Sequence, residues 1–338
     1  MITTQPCSNF EPMRTMLVES ISTKVILSAV ELKLFDFTEA QPIAPSPLAR
    51  QLGVIPDRLE CVLELLTAVD LLSKESGKYR NTTFSSEFLV SESPLYQGDN
   101  IELIMKFNNA IEDSITRLLF SDNQRDKTDN EWAVTKAMEG CAQEARSTSL
   151  LPVTEFVTGL PDFTHFSTMG DIGGNHGLYS MAILEKNSKM QGTIFDLPPI
   201  AELAQKRCIT AGFKNRIVTC GIDLRNEQLP LESFDLLLSS HVLYAFKNKL
   251  HDTLAGFVQA LTPRGWFVSH HYSGLSKQGN EQMKASLELL TRFSGYPSHF
   301  IEQEDLTSVL ADLGLINIRC QPVSQTGTGL LIAAQKPQ

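Results

Sequence analysis

Apolar side chains recur at helical spacings from Met13 to Leu34, among them Met16, Leu17, Ile21, Val25, Ala29 and Val30. This periodicity predicts one helix over residues 13–34 whose apolar face is buried in a core or against a second copy of the chain. A stretch with Pro42, Pro45 and Pro47 leads into a short helix over residues 47–52 that Gly53 ends, and a longer helix over 57–72 turns Leu59, Leu63 and Leu66 inward. Residues 76–82 read as a small β-hairpin. Helices followed by a hairpin make a winged-helix arrangement. Residues 97–160 are patterned as helix throughout, broken by the polar stretch 121–130.

Beyond Phe163 the pattern changes to short apolar runs at 166–172, 193–196, 217–221, 234–240, 266–269, 316–320 and 330–334, with helical patterns between them. Strands alternating with helices predict an α/β fold with a parallel, doubly wound sheet, in which ligands sit at the carboxyl ends of the strands. The expected organisation is a winged-helix-like unit over 1–100, a helical bridge over 101–160 that lines a substrate pocket, and the sheet domain over 161–338.

Composition removes several classes of function. At 338 residues, 42% apolar and 20% charged, the chain can bury large cores and is neither disordered nor collagen-like. Its 29 Lys and Arg against 39 Asp and Glu leave a net charge of −10. A winged helix raises the question of DNA, but residues 1–100 hold 8 basic against 13 acidic side chains, and the helix over 57–72 carries Asp57, Glu60, Glu64 and Asp70. Such a helix gains nothing from displacing counterions around a phosphate backbone, so no nucleic-acid partner is expected and the unit is read as a dimerisation domain. No run long enough to span a membrane occurs, and Glu11, Arg14, Glu19 and Lys24 break up any signal peptide. The six cysteines lie far apart without a C-x-x-C pair, as expected of reduced thiols in the cytoplasm.

The candidate chemistry lies at the ends of the first three runs of the sheet domain. The first passes into Asp171-Ile172-Gly173-Gly174-Asn175-His176-Gly177, where glycines let the backbone approach a ligand and free the N–H groups at a helix start. The spacing does not fit the dinucleotide G-x-G-x-x-G, and Asp171 suits a cationic ligand better than a pyrophosphate. The second run ends in Phe195-Asp196-Leu197-Pro198, placing a carboxylate where ribose hydroxyls would donate to it; the third ends in Gly221-Ile222-Asp223-Leu224, which offers a carboxylate for an amino group beside an apolar side chain. Each acid alone could be a helix cap or a solvated charge. Three in succession are better explained by one nucleoside ligand.

With these motifs, the first helix, the hairpin and Leu261-Thr262-Pro263-Arg264-Gly265-Trp266, the chain resembles the class I S-adenosylmethionine-dependent methyltransferases. The resemblance is to the small-molecule O-methyltransferases of plants and bacteria that carry an N-terminal winged-helix dimerisation domain, and it covers nearly the whole length. It implies a Rossmann-like sheet, a homodimer and S-adenosyl-L-methionine as methyl donor. Asp171, Gly173 and Gly174 would lie at the methionine part, Asp196 and Leu197 at the ribose, and Asp223 and Leu224 at the adenine. Ser240 matches a position near the cofactor where the plant enzymes have lysine.

The sequence departs from that family where a His-Asp pair deprotonates the acceptor hydroxyl: here Tyr244 and Ala245 stand on the pair. His241 falls three residues early and is expected to point elsewhere. A tyrosine, with a reference pKa near 10, is a poor base at neutral pH but can orient an acceptor. His271 and His299 match, or lie near, the two glutamates that flank the family histidine, so Tyr244, His271 and His299 are the candidate catalytic groups. Packing at the pocket rim accounts for both histidines equally well. Two histidines without a third ligand do not define a metal site, and none is expected. Phe107, Asn108, Trp132 and Phe293 are candidates for lining an apolar acceptor pocket, with ordinary core packing as the alternative. The expected activity is methyl transfer to a hydroxyl of a small aromatic or polyketide-like molecule in secondary metabolism. Methylation of carbon or nitrogen, and a cofactor-binding relative that has lost transfer, are the alternatives.

Overall fold

A computed structural model of the chain describes residues 4, 6–112, 114–120, 132, 134–274, 281–324 and 328–338. It divides into two compact units, Met1–Met105 and Lys106–Gln338.

In the first unit the helix expected over 13–34 is two helices, Glu11–Glu19 and Ile21–Glu31. The break falls at Ser20, whose hydroxyl donates to the Leu17 carbonyl at 2.7 Å and so competes with the backbone ladder. The helix expected to reach residue 72 ends at Ala68, because Asp70 takes a positive φ of 58° and Leu71 N–H turns back to the Leu66 carbonyl. The hairpin is present as β1 (Leu72–Glu75) and β2 (Lys78–Asn81), antiparallel and joined by Ser76 and Gly77, both at positive φ, the two-residue turn that matches strand twist. Leu34, Phe35, Leu63, Leu66, Leu72 and Tyr79 form the core of this unit. Helix Glu11–Glu19 contributes no buried residue, and Phe10, Met13, Met16, Leu17, Val18 and Ile21 are exposed.

The second unit holds seven strands: β3 (Thr168–Ile172), β4 (Gln191–Asp196), β5 (Ile217–Gly221), β6 (Phe234–Ser240), β7 (Leu261–Tyr272), β8 (Ile316–Pro322) and β9 (Gly329–Gln335). They form one sheet in the order β5-β4-β3-β6-β7-β9-β8. β3 to β7 are parallel, as expected, but β9 runs antiparallel to both β7 and β8. The connection over residues 323–328 is too short for the crossover that a parallel pair needs. Along β6, Leu236 and Leu238 pack into one core with Ile194 and Trp266, while Leu237 packs into another with Phe195 and Phe267. The sheet is therefore buried on both faces, which is why its strands read as continuous apolar runs. Strand order reverses between β3 and β6, so a crevice opens at their carboxyl ends.

Helices Gly98–Glu112, Ile115–Leu118, Thr135–Thr148 and Leu150–Thr158 fall in the expected helical stretch, and the last three belong to the second unit with the sheet. The polar interruption over 121–130 lies outside the described residues. Among the described residues, no helix is long and apolar enough to cross a membrane.

Candidate active site

β3 delivers the chain into the turn over residues 173–177 and then into helix Leu178–Lys186. Gly173 has φ +64°, and a Cβ there would stand 2.3 Å from Val242 Cγ2; a Cβ on Gly174 would stand 2.7 Å from Asp171 Cγ and 2.9 Å from Ile194 Cγ2. Only glycine lets the turn lie this close to its neighbours. Asp171 is buried beneath it. One carboxylate oxygen accepts from Ser180 Oγ at 2.7 Å, the other has no partner, and burial pushes the pKa up to about 7.

Asp196, at the end of β4, accepts the Asn175 N–H at 2.9 Å and the Leu197 N–H at 2.8 Å. It is only half-buried, yet the protein packed around it pushes its pKa up to about 6 against the pull of those two bonds. A group that water reaches but protein surrounds lies in a recess. That recess is a cavity of about 130 Å³ lined by Gly173, Asp196, Leu197, Asp223, Leu224, Val242, Ala245 and Tyr296 among others. The Asp223 carboxylate accepts from Arg225 Nε at 2.8 Å and Nη2 at 3.0 Å, which holds its pKa below the usual range. A larger cavity of about 310 Å³, with Asp162, His165, Asp235 and Arg264, lies at the opposite end of β6. There Asp235 is engaged by Ser167, Thr168 and Thr262, and Arg264 by Asp162, and amino ends of strands are not where such sheets bind ligands.

Beyond the recess, β6 and β7 end in a cluster of imidazoles and phenols. His299 stacks between Tyr272, 5.0 Å between ring centres, and Tyr244, 5.8 Å, both at 24°. Tyr244 meets Tyr296 edge-on at 5.1 Å, and Tyr296 lines the recess, so the two sites are continuous. Thr291 Oγ1 holds His299 Nδ1 at 2.7 Å, and His299 Nε2 is buried without a partner. Burial lowers the pKa of this ring, so it is neutral at physiological pH. His241, at a φ of +54°, packs 4.2 Å from His270 and 4.5 Å from Tyr272. His270 bonds Ser240 Oγ through Nδ1 at 2.9 Å. Burial lowers His241 well below 6.5 and His270 to about 3.

The structure thus gathers Gly173, Asp196, Leu197, Asp223 and Leu224 around one recess, and Tyr244 and His299 beside it. Asp171 and Gly174 support the turn from beneath, and Ser240 serves His270. His271 alternates with His270 and Tyr272 along β7; it is buried, with Nδ1 on Ser269 Oγ at 2.9 Å. Phe107 and Trp132 pack together at 4.9 Å, while Asn108 and Phe293 are half-buried on helices Gly98–Glu112 and Glu281–Phe293. Three side chains of the site escaped the sequence reading: Tyr296, Tyr272, and Glu144, which accepts from the Tyr272 hydroxyl at 3.3 Å. Tyr272 follows His271 directly in the sequence and could have been found by strand alternation; nothing in the spacing marks Glu144. Among the described residues, no group of three His, Cys, Asp or Glu could hold a metal ion.

A sheet reversing at β3, a glycine turn over a buried acid and an acid at the next strand end define a doubly wound, nucleoside-binding fold. Residues 107–294 match the O-methyltransferase domain and residues 15–91 the O-methyltransferase dimerisation domain. The chain belongs to the O-methyltransferase family, the S-adenosylmethionine-dependent group that its sequence resembles. It is 24% identical to 3-hydroxy-5-methyl-1-naphthoate 3-O-methyltransferase of Streptomyces sahachiroi over 93% of this chain and 92% of that one. It is also 24% identical to the tetracenomycin polyketide synthesis 8-O-methyl transferase of Streptomyces glaucescens, over 94% of each chain. The crystal structure of human N-acetylserotonin methyltransferase in complex with S-adenosylmethionine superposes with a TM-score of 0.79 at 17% identity, over 99% of this chain and 100% of that one.

Proposed function

We propose that this protein transfers the methyl group of S-adenosylmethionine to a hydroxyl of a small aromatic or polyketide-like molecule, working as a homodimer in the cytoplasm. The observation that carries the reading is the continuity of the two sites: Tyr296 lines the recess at Asp196 and packs on Tyr244, which stacks on His299. The residues fit the cofactor. The turn at Gly173 and Gly174 admits no side chain, Asp196 already accepts two N–H donors and has room at the recess for ribose hydroxyls, and buried Asp171 leaves one oxygen unpaired. Leu197 and Leu224 offer apolar surface at the rim, and Asp223 would share its carboxylate between Arg225 and an adenine amino group.

When bound, S-adenosylmethionine supplies an electrophilic methyl on a sulfonium. The chain's own part is to align the acceptor, which can contribute roughly 7–11 kcal/mol, and to receive its proton. His299 is suited to receiving that proton, because Thr291 orients the ring, flanking tyrosines hold it, and Nε2 is an unpaired acceptor in the tautomer with the proton on Nδ1. His271 has the same pattern, with Nδ1 on Ser269 Oγ and Nε2 unpaired, but it alternates with His270 and Tyr272, the two β7 rings that pack into the cluster, which leaves His271 the weaker candidate. Phe107, Trp132 and Phe293 suit an aromatic acceptor, with Asn108 as a polar contact. The exposed apolar run from Phe10 to Ile21, together with the matched dimerisation domain, supports the homodimer. All six cysteines are free, which suits a reducing compartment.

The test is calorimetric titration with S-adenosylmethionine, followed by transfer of labelled methyl to a panel of phenols, amines and enolisable carbons. Binding with label appearing on phenolic oxygen is expected. No binding overturns the reading, and label on nitrogen or carbon replaces the acceptor atom.

A further inference from the structure

Glu144, on helix Thr135–Thr148, has no role in the transfer chemistry proposed for His299. Its carboxylate takes one hydrogen bond, from Tyr272. Among the described residues no cation stands within ion-pair distance of it. Its side chain is exposed to water, and the protein around it raises its pKa above the ordinary glutamate range. Its field reaches the Tyr179 phenol and the Cys141 thiol, both of which burial and this carboxylate push up to about 12. The cluster beyond Tyr272 consists of the neutral rings His241 and His299, then Tyr244. The acceptor side of the site therefore has aromatic walls, an unpaired imidazole nitrogen and one carboxylate that lacks a positive partner.

We infer that Glu144, held by Tyr272, is a specificity-determining residue that receives a hydrogen-bond donor of the methyl acceptor and excludes acceptors carrying a carboxylate. The inference rests on the methyltransferase reading and narrows its substrate class to electroneutral, hydroxyl-bearing aromatic molecules. Coulomb repulsion supplies the exclusion. Two carboxylates a few ångströms apart repel each other, whereas a phenol hydroxyl offers the carboxylate a charge-assisted bond. The Streptomyces sahachiroi relative, by its name, acts on a naphthoate; this chain is expected to differ in that respect.

The probes are 1-naphthol and 1-naphthoate, titrated calorimetrically into the protein loaded with S-adenosylhomocysteine. At about pH 8, where the naphthoate is ionised, the unaltered protein should bind 1-naphthol at least about tenfold more tightly. Glu144→Gln, of the same shape, should abolish most of that preference by tightening 1-naphthoate binding, and Glu144→Asp should restore part of it. Affinity for S-adenosylhomocysteine should not change in either variant, which shows the variants folded. An unchanged preference in Glu144→Gln overturns the inference, as does an unaltered protein that fails to bind 1-naphthol or does not prefer it. Failure to bind S-adenosylhomocysteine sinks the methyltransferase reading instead, so the two failures are separable.

Discussion

The two halves of the crevice are built on opposite principles. At β3, β4 and β5 the groups are carboxylates and bare backbone: Asp171 and Asp196 are pushed toward neutrality by burial, and two glycines leave no room for side chains. At β6 and β7 they are imidazoles and phenols, with every histidine of the cluster held neutral by burial. The first half is prepared for a ligand that brings positive charge, which would restore the ionised carboxylates. The second is prepared to take a proton from a neutral molecule, since a neutral imidazole can accept one. The proposed function thus assigns cation binding and proton removal to separate halves of one crevice.

The sharpest break in this comparison would come from His299. Once the transfer assay has identified an acceptor, His299→Ala should lower kcat by about 10²–10⁴ while leaving S-adenosylhomocysteine affinity unchanged in calorimetry. His271→Ala should do far less. If His299→Ala keeps full kcat, the second half does not supply the base. The mirror test belongs to the first half: Asp196→Ala should weaken S-adenosylmethionine binding by about 100-fold, the loss of charge-assisted bonds worth roughly 1.5–3 kcal/mol each, with no change in acceptor affinity.

The same division separates what was legible in the sequence from what was not. Gly173, Asp196 and Asp223 follow the carboxyl ends of three consecutive parallel strands, β3, β4 and β5, so chain order alone puts them at one edge of the sheet. The strands announced themselves because both faces are buried. On the other side, Glu144, Tyr272 and His299 come from a helix, a strand and a loop separated by more than a hundred residues in one case, and only tertiary packing joins them. The packing of His241 on His270 and Tyr272 goes with a positive φ at His241, a backbone angle that spacing does not reveal. The antiparallel β9 was missed for a local reason, the short connection after β8.

Acid should pull the halves apart in the unliganded protein. Histidines with lowered pKa bind fewer protons folded than unfolded, so their stabilisation is present above about pH 6.5 and lost as pH falls toward 3–4. Asp171 and Asp196, with raised pKa, do the reverse: their contribution is present below about pH 4 and lost as pH rises through 6 to 7. The imidazoles are the more numerous, so thermal stability should fall between pH 7 and pH 5. For fully buried His270 the cost at about pH 5 is on the order of 2 kcal/mol, and His270→Gln should reduce the fall in Tm over that interval by roughly 4–8 °C. An unchanged slope in His270→Gln, measured by calorimetric scanning, would remove that imidazole from the contrast.

The smallest expected effect isolates the first half on its own. S-adenosylmethionine binding requires the Asp196 carboxylate ionised, and in the free protein that group is protonated below about pH 6. Affinity should therefore decline by about tenfold for each pH unit below this value on account of Asp196, with a proton released for each cofactor bound on the acidic side. Titrations in two buffers of different ionisation enthalpy count that proton. Asp196→Asn, which keeps the shape and cannot titrate, should bind weakly at every pH and lose the decline. If the decline survives in Asp196→Asn but vanishes in Asp171→Asn, the buried acid beneath the glycine turn is the group coupled to the cofactor, and the recess carboxylate is an orienting contact.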